Sequence, residues 1–398
     1  MFFTIAQKDF SHALALASAF TGQGTLQMPI LKTLRFDAEP GRLVVQAANE
    51  QTRVRVRATA EVQASGSLLV PAQALAHLVG DLPNAPISVM SPSPTDATSL
   101  QLRGPQIKAN FKIASFPLDE FPQVTTLSAG EELLTLDAEL LREIIEQVAP
   151  AAANDGARPV LEAVQVVFAE GQATFTAANA FRLAYRNVPI PDQHMTATLL
   201  IPASVLRQLA RVLPSSGVVH LGRTRDGRSV LVQTREMDLS SSLIEGAYPN
   251  ARSLLSLPAP TRVVLPTPDL RNALRLMASF ARENDHQLRW IVESDAFRLE
   301  AEAPDLGTNE VRLTEGVTIS GPALSVRLNH TYLADALAAV GTPQVALEME
   351  HERHPVTIKP VGPLDARHII MPMMQQTAPV ASGTTPSSQA TPEPTPSR

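Results

Sequence analysis

Two histidines near the end of the chain have the spacing of a metal-binding pair. His351 and His354 form an HxxH motif, but Pro355 follows at once, which favours a solvated turn over a metal site. The chain has no cysteine, and this excludes disulfides, thiolate metal sites and a cysteine nucleophile. It also lacks the GxxxxGKS/T phosphate loop, the HExxH zinc motif and the GxSxG nucleophile motif. We therefore expect no catalytic residues, metal or cofactor. An enzyme that depends on His351 or His354 is the most distant alternative.

Basic residues four positions apart lie opposite apolar stripes on the predicted helices. Phosphate groups require only cations that can approach them, and such contacts carry no sequence information. The helices therefore offer candidate contacts to nucleic acid, formed by Lys8, His12, Arg142, Arg207, Arg211, Arg271 and Arg275. The alternative is that these are ordinary solvated helix faces. Glu146 follows Arg142 by four residues and is expected to neutralise it, so the surface is predicted to be only mildly positive.

One stretch of sequence occurs three times and predicts the framework that carries these helices. Residues 199–214 read LLIPASVLRQLARVLP, residues 68–83 read LLVPAQALAHLVGDLP, and residues 324–340 form a looser copy, LSVRLNHTYLADALAAV. Pairing Leu75 with Leu206 and Leu206 with Leu333 gives offsets of 131 and 127 residues. A period of this length indicates a repeated domain and not a solenoid repeat.

Other landmarks keep nearly the same period and the same order. The strand GRLVVQAAN at 41–49 corresponds to GQATFTAAN at 171–179, and the three units close near Pro122, Pro249 and Pro372. Each unit is predicted to contain two helices on one face of several antiparallel strands, so the fold class is α+β with a threefold internal repeat. We expect domains at 1–126, 127–257 and 258–376. The tail 377–398, rich in Pro, Ser and Thr, is expected to be disordered.

Apolar periodicity and proline positions predict where the helices lie. The first helix of each unit is expected over about 7–19, 137–148 and 268–282. The second helix of the first unit is expected to run to about Leu82, with Pro71 at its first helical position.

Overall charge and hydropathy limit the class of protein. The 398-residue chain has a formal net charge of −6, which argues against a protein held on nucleic acid by bulk charge alone. The N-terminus meets Lys8 and Asp9 before any long apolar run, so no signal peptide is predicted. No apolar stretch reaches the length of a membrane span. A soluble cytoplasmic protein is expected.

Three units in one chain can stack, bundle or close into a ring, and a head-to-tail contact between sheet edges gives either a ring or a filament. The sequence resembles a known family, the beta subunits of bacterial DNA polymerase III, which are sliding DNA clamps. The resemblance covers residues 1 to about 374 and rests on stretches that occur in one order. They are MPIL at 28–31, ANFKIASFPLDEFP at 109–122, RPVLEAV at 158–164, FRLA at 181–184, LIEGAYPNA at 243–251, LNHTYLADAL at 328–337 and HIIMPMM at 368–374.

The resemblance implies a homodimeric ring of six domains, with helices around a hole through which duplex DNA passes without being read. It implies a non-catalytic clamp that tethers the replicative DNA polymerase to DNA and confers processivity. The implied partners are double-stranded DNA, a second copy of the chain, the polymerase catalytic subunit, the clamp loader and repair proteins with clamp-binding peptides, and no membrane is implied. The implied dimer contact places Phe111 and Ile113 of an edge strand against the first helix of the third domain near Phe280. The alternative is that Phe111 and Ile113 belong to the core of their own domain.

The resemblance also implies an apolar pocket for partner peptides between the second and third domains. Carried over by position, the pocket consists of Leu161, Arg182, Leu183, Pro249, Leu254, Ile369, Met371, Pro372 and Met373. Flexible methionines and aliphatic side chains suit a surface that accepts several partners, although without the resemblance such residues are usually plain core.

Two departures from the family motivate an alternative. The family has a TDGHRL-like phrase where residues 178–183 read ANAFRL, and a basic loop residue is missing where residues 25–27 read TLQ. The alternative is a diverged clamp-fold scaffold or regulator whose peptide binding is altered or lost.

Overall fold

The computed structural model describes residues 1–22, 28–91, 99–105, 107–113, 116–128, 131–191, 196–250 and 252–373. Two predictions, the missing basic residue at 25–27 and the disordered tail at 377–398, lie outside the described residues. The described chain forms three units in succession, each with two helices that pack against each other.

The first unit begins and ends with strands that belong to one sheet. Its elements are β1 (Phe2–Ala6), α1 (Gln7–Ser18), β2 (Thr33–Glu39), β3 (Arg42–Ala48), β4 (Thr52–Thr59), β5 (Glu61–Ala64), β6 (Gly66–Pro71), α2 (Ala72–Gly80), β7 (Pro86–Met90), β8 (Ser99–Gly104) and β9 (Ile107–Lys112).

The second unit repeats this order, and its described residues, which omit 192–195, include no counterpart of β5. Its elements are β10 (Glu132–Asp137), α3 (Ala138–Val148), β11 (Ala163–Ala169), β12 (Gln172–Ala178), β13 (Arg182–Pro189), β14 (Ala197–Pro202), α4 (Ala203–Val212), β15 (Val218–Arg223), β16 (Ser229–Gln233) and β17 (Met237–Ser242).

The third unit follows the same plan with a longer first helix. Its elements are β18 (Thr261–Pro266), α5 (Thr267–Arg282), β19 (Gln287–Val292), β20 (Phe297–Ala303), β21 (Gly307–Leu313), β22 (Thr318–Ser320), β23 (Leu324–Asn329), α6 (His330–Ala339), β24 (Gln344–Met349), β25 (Val356–Pro360) and β26 (Ala366–Ile370). The predicted threefold repeat of two helices and antiparallel strands is confirmed.

Each helix begins directly after the last residue of a strand. Pro71 is therefore the final residue of β6 and precedes α2 instead of occupying its first helical position, so that prediction is wrong by one residue. A proline fits there because its fixed φ, −62° at Pro71, also suits an extended strand end, and Pro202 and Pro266 precede α4 and α5 in the same way. Asp137 caps α3 by accepting a hydrogen bond from the Glu139 N–H at 2.9 Å.

Antiparallel pairing joins neighbouring units into continuous sheets. An eight-stranded sheet, β10-β15-β16-β17-β4-β3-β2-β6, spans the first two units, and a nine-stranded sheet, β14-β11-β12-β13-β26-β25-β24-β18-β22, spans the last two. A five-stranded sheet, β5-β1-β7-β8-β9, and a four-stranded sheet, β21-β20-β19-β23, remain at the two ends of the chain. Each of these two end sheets has a free edge strand, β9 in the first unit and β21 in the third.

Apolar side chains on the inner faces of the sheets meet the apolar stripes of the helices. In β4 the sequence TRVRVRAT alternates, with Val54 and Val56 buried and the intervening arginines half-buried on the other face. In α4 the apolar stripe opposite Arg207 and Arg211 is confirmed, because its residues Val205, Leu206 and Leu209 are all buried. One buried cluster runs through the first two units, and a separate cluster around Trp290 belongs to the third.

Candidate nucleic-acid interface and peptide pocket

Two of the predicted phosphate contacts bind the end of a neighbouring helix. The Arg142 guanidinium of α3 donates hydrogen bonds to the carbonyls of Ala210 at 3.1 Å, Leu213 at 2.5 Å and Pro214 at 2.8 Å, at the C-terminal end of α4. The predicted pairing of Arg142 with Glu146 is therefore wrong. A cation satisfies carbonyls that the helix itself leaves unpaired and also meets the negative end of the helix dipole.

The third unit repeats this arrangement. Arg271, at the same place in α5, donates to the carbonyls of Leu337 at 2.5 and 2.9 Å and of Val340 at 2.6 Å, at the end of α6. In the first unit a neutral side chain at the start of α1 has this role, because the buried Gln7 amide donates to the Val79 carbonyl of α2 at 2.7 Å. The first helix of every unit thus holds the end of the second, and Arg142 and Arg271 serve the fold of their own units.

Arg207 is partly used in the same way, while Arg211 is not. Arg207 is half-buried and donates to the Ala149 carbonyl just after α3 at 3.0 Å. Burial lowers the pKa of the Arg207 guanidinium, and the positive charges of Arg211 and Arg182 lower it further. Arg211 lies one turn further along α4 and is exposed. Among the described residues it has no hydrogen-bond or ion-pair partner, so it is available to an anion.

The remaining three predicted contacts are also exposed. Arg275 donates to the side chain of Asn272 at 2.7 Å, and Lys8 lies at the start of α1. His12 lies 3.2 Å from the Glu236 carboxylate, and both side chains are more than half exposed.

A groove between the first two units adds a cation that the sequence did not reveal. The groove, of about 840 Å³, is lined by His12 and Leu16 of α1, by Arg211 at the end of α4, and by Arg235 and Glu236. Arg235 is exposed in the turn between β16 and β17. A single arginine in a hairpin turn has no helical spacing to mark it, and only the folded structure shows that it lines the same groove as Arg211.

In the predicted peptide pocket, Arg182 binds the third unit. Its guanidinium donates to the Asp335 carboxylate of α6 at 2.6 Å and to the Pro150 carbonyl, and lies 4.4 Å from the centroid of the Tyr332 ring. The side chain is only 13% exposed, and its Nε atom has no hydrogen-bond partner. Arg182 therefore connects β13 of the second unit to α6 of the third.

A buried histidine lies below this contact. His368 of β26 is opposite Ala184 in the pairing of β13 with β26, and it shares the lining of a small cavity with Arg182 and Gln147. Burial lowers the pKa of His368 to about 4, and the positive charge of Arg182 acts in the same direction. The imidazole is therefore neutral at neutral pH.

The other predicted pocket residues range from buried to exposed. Leu161, Leu183 and Ile369 are buried, whereas Leu254, Pro372 and Met373 are half-buried and Pro249 and Met371 are exposed. The Met371 N–H donates to the Phe181 carbonyl at 2.8 Å, so these two exposed residues are backbone neighbours. Phe181 is a surface aromatic in the FRLA stretch at 181–184, and it was not among the predicted pocket residues.

The predicted dimer residues lie partly in their own cores. Phe111 of β9 and Ile113 just beyond it are half-buried against the core of the first unit, and Phe280 of α5 is half-buried against the core of the third. The strand that carries Phe111 is nevertheless an edge of its sheet, so its outer backbone groups are available for pairing.

The chain consists of three two-helix units that are joined edge to edge through their sheets. Its helices have basic faces, and no catalytic cluster occurs among the described residues. This architecture defines the class of DNA sliding clamps. Comparison with known proteins agrees. Family models of the DNA polymerase III beta subunit match its N-terminal domain at residues 1–125, its central domain at 135–250 and its C-terminal domain at 256–374. The chain belongs to the DNA polymerase III beta subunit family.

Individual relatives support this at modest identity. A beta sliding clamp of Synechocystis is 26% identical over 385 residues, covering 92% of this chain and 97% of the relative. One of Micrococcus luteus is 29% identical over 287 residues, covering 70% of this chain and 87% of the relative. The crystal structure of the DNA polymerase beta subunit of Streptococcus pyogenes matches with a TM-score of 0.86 at 21% identity, covering 94% of this chain and all of that one. The sliding clamp of Bacillus subtilis matches with a TM-score of 0.85 at 18% identity, covering 94% and 99%.

Proposed function

We infer that this chain is a sliding clamp: a ring that encircles duplex DNA, tethers the replicative DNA polymerase and confers processivity without catalysing a reaction. The observation that carries this inference is the repeated junction between units. In each formed junction the last strand of one unit pairs antiparallel with a strand of the preceding unit, β17 with β4 and then β26 with β13. Membership of the DNA polymerase III beta subunit family agrees with it.

The same rule leaves one unmatched strand at each end of the chain. By position in the repeat, β9 corresponds to β17 and β26, and β21 corresponds to β4 and β13. Both are edge strands, and they lie in different sheets of the chain. Pairing β9 of one copy with β21 of another gives a nine-stranded sheet, the size of the sheet that joins the second and third units. Two such contacts close a head-to-tail dimer of six units.

The register of the proposed contact follows from the two formed junctions. Leu239 lies opposite Val54 in the first junction and His368 opposite Ala184 in the second. In the repeat, Ala109 of β9 is the counterpart of Leu239 and His368, and Asn309 of β21 is the counterpart of Val54 and Ala184. This register places Phe111 opposite Gly307 and Lys108 opposite Glu310, so that an aromatic ring meets a glycine and two opposite charges meet.

The formed junctions carry polar contacts at the position of Lys108 and Glu310. In the first junction, Asp238, the counterpart of Lys108, lies opposite Arg55, the counterpart of Glu310, and forms an ion pair with the nearby Arg57. In the second, the guanidinium of Arg367 lies 5.9 Å from the centroid of the Tyr185 ring. Glu310 already lies 3.0 Å from Arg298 within its own chain, so Lys108 would extend an existing charge pair.

For the DNA-facing surface we propose Lys8, His12, Arg211, Arg275 and the half-buried Arg207, joined by Arg235 in the groove between the first two units. Arg142 and Arg271 rank below these residues as candidates for DNA contact, because their guanidiniums are bound to helix ends. Weak, sequence-independent phosphate contacts suit a ring that must slide. The domain boundaries 1–126, 127–257 and 258–376 and a cytoplasmic location remain part of this proposal.

For partner peptides from the polymerase, clamp loader and repair proteins, we propose the surface formed by the pocket residues named above together with Phe181. The exposure of Phe181, 58%, and of Met371, 39%, supports an apolar docking surface there. Residues 178–183 read ANAFRL where the family has a TDGHRL-like phrase. This replacement supports the second candidate, a clamp-fold regulator with altered peptide specificity.

The mass of the assembly and its retention on DNA test the proposal together. We expect sedimentation to give twice the 42.7 kDa of one chain. Clamps loaded on a nicked circle should stay bound and should leave once the circle is linearised, because a ring slides off free ends. A stable monomer, or equal retention on circular and linear DNA, would contradict a sliding ring. Titration with a clamp-binding peptide separates the two candidates, since the regulator would bind it only weakly.

A further inference from the structure

The turn between β24 and β25 brings three potential metal ligands together. One ligand atom from each of Glu350, His351 and His354 lies within 4.8 Å of the other two. The two imidazole rings are 3.9 Å apart between centroids, at an angle of 38°. The sequence favoured a solvated turn for the HxxH motif, and the third donor, Glu350, directly precedes that motif.

The backbone of the turn holds the two histidines on one side. The His354 N–H donates to the His351 carbonyl at 3.0 Å, which closes the turn, and the Arg353 N–H donates to Nδ1 of His351 at 3.2 Å. Buried residues flank the turn, Met349 at the end of β24 and Val356 at the start of β25. The donor set is therefore mounted on a short loop between two core strands.

The charges around the turn favour a cation at this point. Glu348 is bound by Lys359 and lies 3.7 Å from Arg262, and Glu352 lies 3.8 Å from Arg353. Among the described residues Glu350 has no lysine or arginine partner, and its carboxylate contacts only Nδ1 of His354. The Glu350 carboxylate therefore supplies a negative charge that a bound cation would offset.

We propose that Glu350, His351 and His354 bind a late first-row divalent cation of the zinc type. Imidazole nitrogen and carboxylate oxygen together suit Zn²⁺, Ni²⁺ or Cu²⁺, whereas Mg²⁺ and Ca²⁺ prefer oxygen ligands alone. Bonds of about 2.0–2.2 Å to a tetrahedral ion bring ligand atoms to roughly 3.3 Å from one another, and water takes the fourth position. The partly exposed side chains reach this geometry by rotation about their own bonds.

The proposed site is independent of the clamp function. Val356 pairs with Ile370, so the turn lies at the end of the sheet where the Met371–Met373 segment begins. It uses none of the residues proposed for DNA, peptide or dimer contacts. Zinc binding can therefore be measured on the full chain without DNA, peptide or partner protein.

Calorimetric titration of the full chain with ZnCl₂ at pH 7.5, in a buffer that does not chelate zinc, tests the site. We expect one saturable site per chain, and at least tenfold weaker binding in His354→Ala, His351→Ala and Glu350→Gln. His77→Ala, which removes an exposed histidine of α2, is the matched control and should bind as the parent does. MgCl₂ should give no saturable heat, and lowering the pH to 5.5 should weaken zinc binding because protons compete for the ligands.

Two results would overturn the proposal. One is the absence of saturable zinc binding up to about 1 mM, a free energy near −4 kcal/mol. The other is unchanged binding in the double variant His351→Ala/His354→Ala, which would place the zinc elsewhere. Urea unfolding of each variant in zinc-free buffer identifies any loss that is due to misfolding, and Glu350→Gln, which keeps the size of the side chain, provides the variant least exposed to that risk.

Discussion

The guanidinium of Arg182 lies over the ring of Tyr332, 4.4 Å from its centroid, and so attaches a strand of the second unit to a helix of the third. The same guanidinium donates to Asp335 and to the Pro150 carbonyl. A residue that by family resemblance belongs to a peptide pocket thus also contributes to the junction below it.

Replacing Arg182 should destabilise this junction. Arg182→Ala removes a nearly buried cation and leaves Asp335 and the Pro150 carbonyl without their donor, so we expect a loss of about 3 kcal/mol in the free energy of unfolding. Asp335→Asn should cost about 1 kcal/mol, because Asp335 is 40% exposed and an amide still accepts a hydrogen bond. Urea unfolding measures both. The control is Glu352→Gln on the exposed β24–β25 turn, and equal stability of all three variants would refute the role of Arg182.

Stability should fall between pH 6.5 and pH 4 through His368. The pKa of the buried imidazole is lowered to about 4 from its ordinary 6.5, so in this window the unfolded chain binds a proton that the folded chain does not. The contribution of His368 is complete above pH 6.5 and is lost towards pH 4, by at most about 3 kcal/mol. Unfolding at pH 7 and pH 4.5 should show a smaller acid loss in His368→Gln than in the parent. An identical loss in both proteins would exclude His368 as the cause.

The helix-end arginines should affect stability more than DNA binding. Arg142→Ala removes donors to three carbonyls at the end of α4, and Arg271→Ala removes the equivalent donors at α6, at an expected cost of about 1–2 kcal/mol each. Arg275→Ala on the exposed face of α5 is the matched control and should change stability by less than about 0.5 kcal/mol. Thermal or urea unfolding measures these changes in stability. Equal stability of Arg271→Ala and Arg275→Ala would contradict the role of Arg271 at the end of α6.

The groove arginines should show the opposite behaviour. Arg211→Ala and Arg235→Ala should leave the unfolding curve unchanged and weaken DNA retention. Each lost phosphate contact should reduce the slope of log K against log salt by about 0.9. Arg225→Ala, in the turn between β15 and β16 and with a side chain 82% exposed, is the control for a general loss of positive charge. Equal slopes for Arg225→Ala and Arg235→Ala would remove Arg235 from the DNA-facing surface.

Charge reversal tests the proposed register of β9 against β21. Lys108→Glu and Glu310→Lys should each weaken the dimer, because like charges then lie opposite each other, and the double variant should restore it. Lys112→Glu on the same strand should have little effect, since the register places Lys112 opposite the uncharged Leu306. Sedimentation equilibrium gives the dimer dissociation constant. If Lys112→Glu weakened the dimer and Lys108→Glu did not, the register would be wrong while the ring could still close.

Periodic apolar residues made the repeated architecture predictable. The stripe of Val205, Leu206 and Leu209 has one physical solution, burial of that helix face against a sheet, and the structure adopts it. The role of Arg142 was not predictable in this way. An arginine opposite an apolar stripe has the same spacing whether it faces solvent or bends towards another helix, and the choice depends on where α4 ends, about 70 residues later.

Contacts between distant segments account for the other omissions. Arg235 and Arg211 lie in separate elements of the second unit, and only in the folded structure do they line one groove together with residues of α1. Arg182 finds Tyr332 and Asp335 across some 150 residues of chain, through the pairing of β13 with β26. No local pattern in the sequence encodes such meetings, although the repeat itself predicts that one unit must meet the next.

The continuous sheets between units have a topological consequence. Inside one chain, each junction is accompanied by a covalent linker, since β17 pairs with β4 and β26 with β13 within the same polypeptide. Parting those strands would still leave a peptide across the gap, and a double helix could not pass it. Only where β9 meets β21 of another copy is the closure made without a linker. In a closed ring, those two contacts are therefore the only places where duplex DNA without free ends can enter.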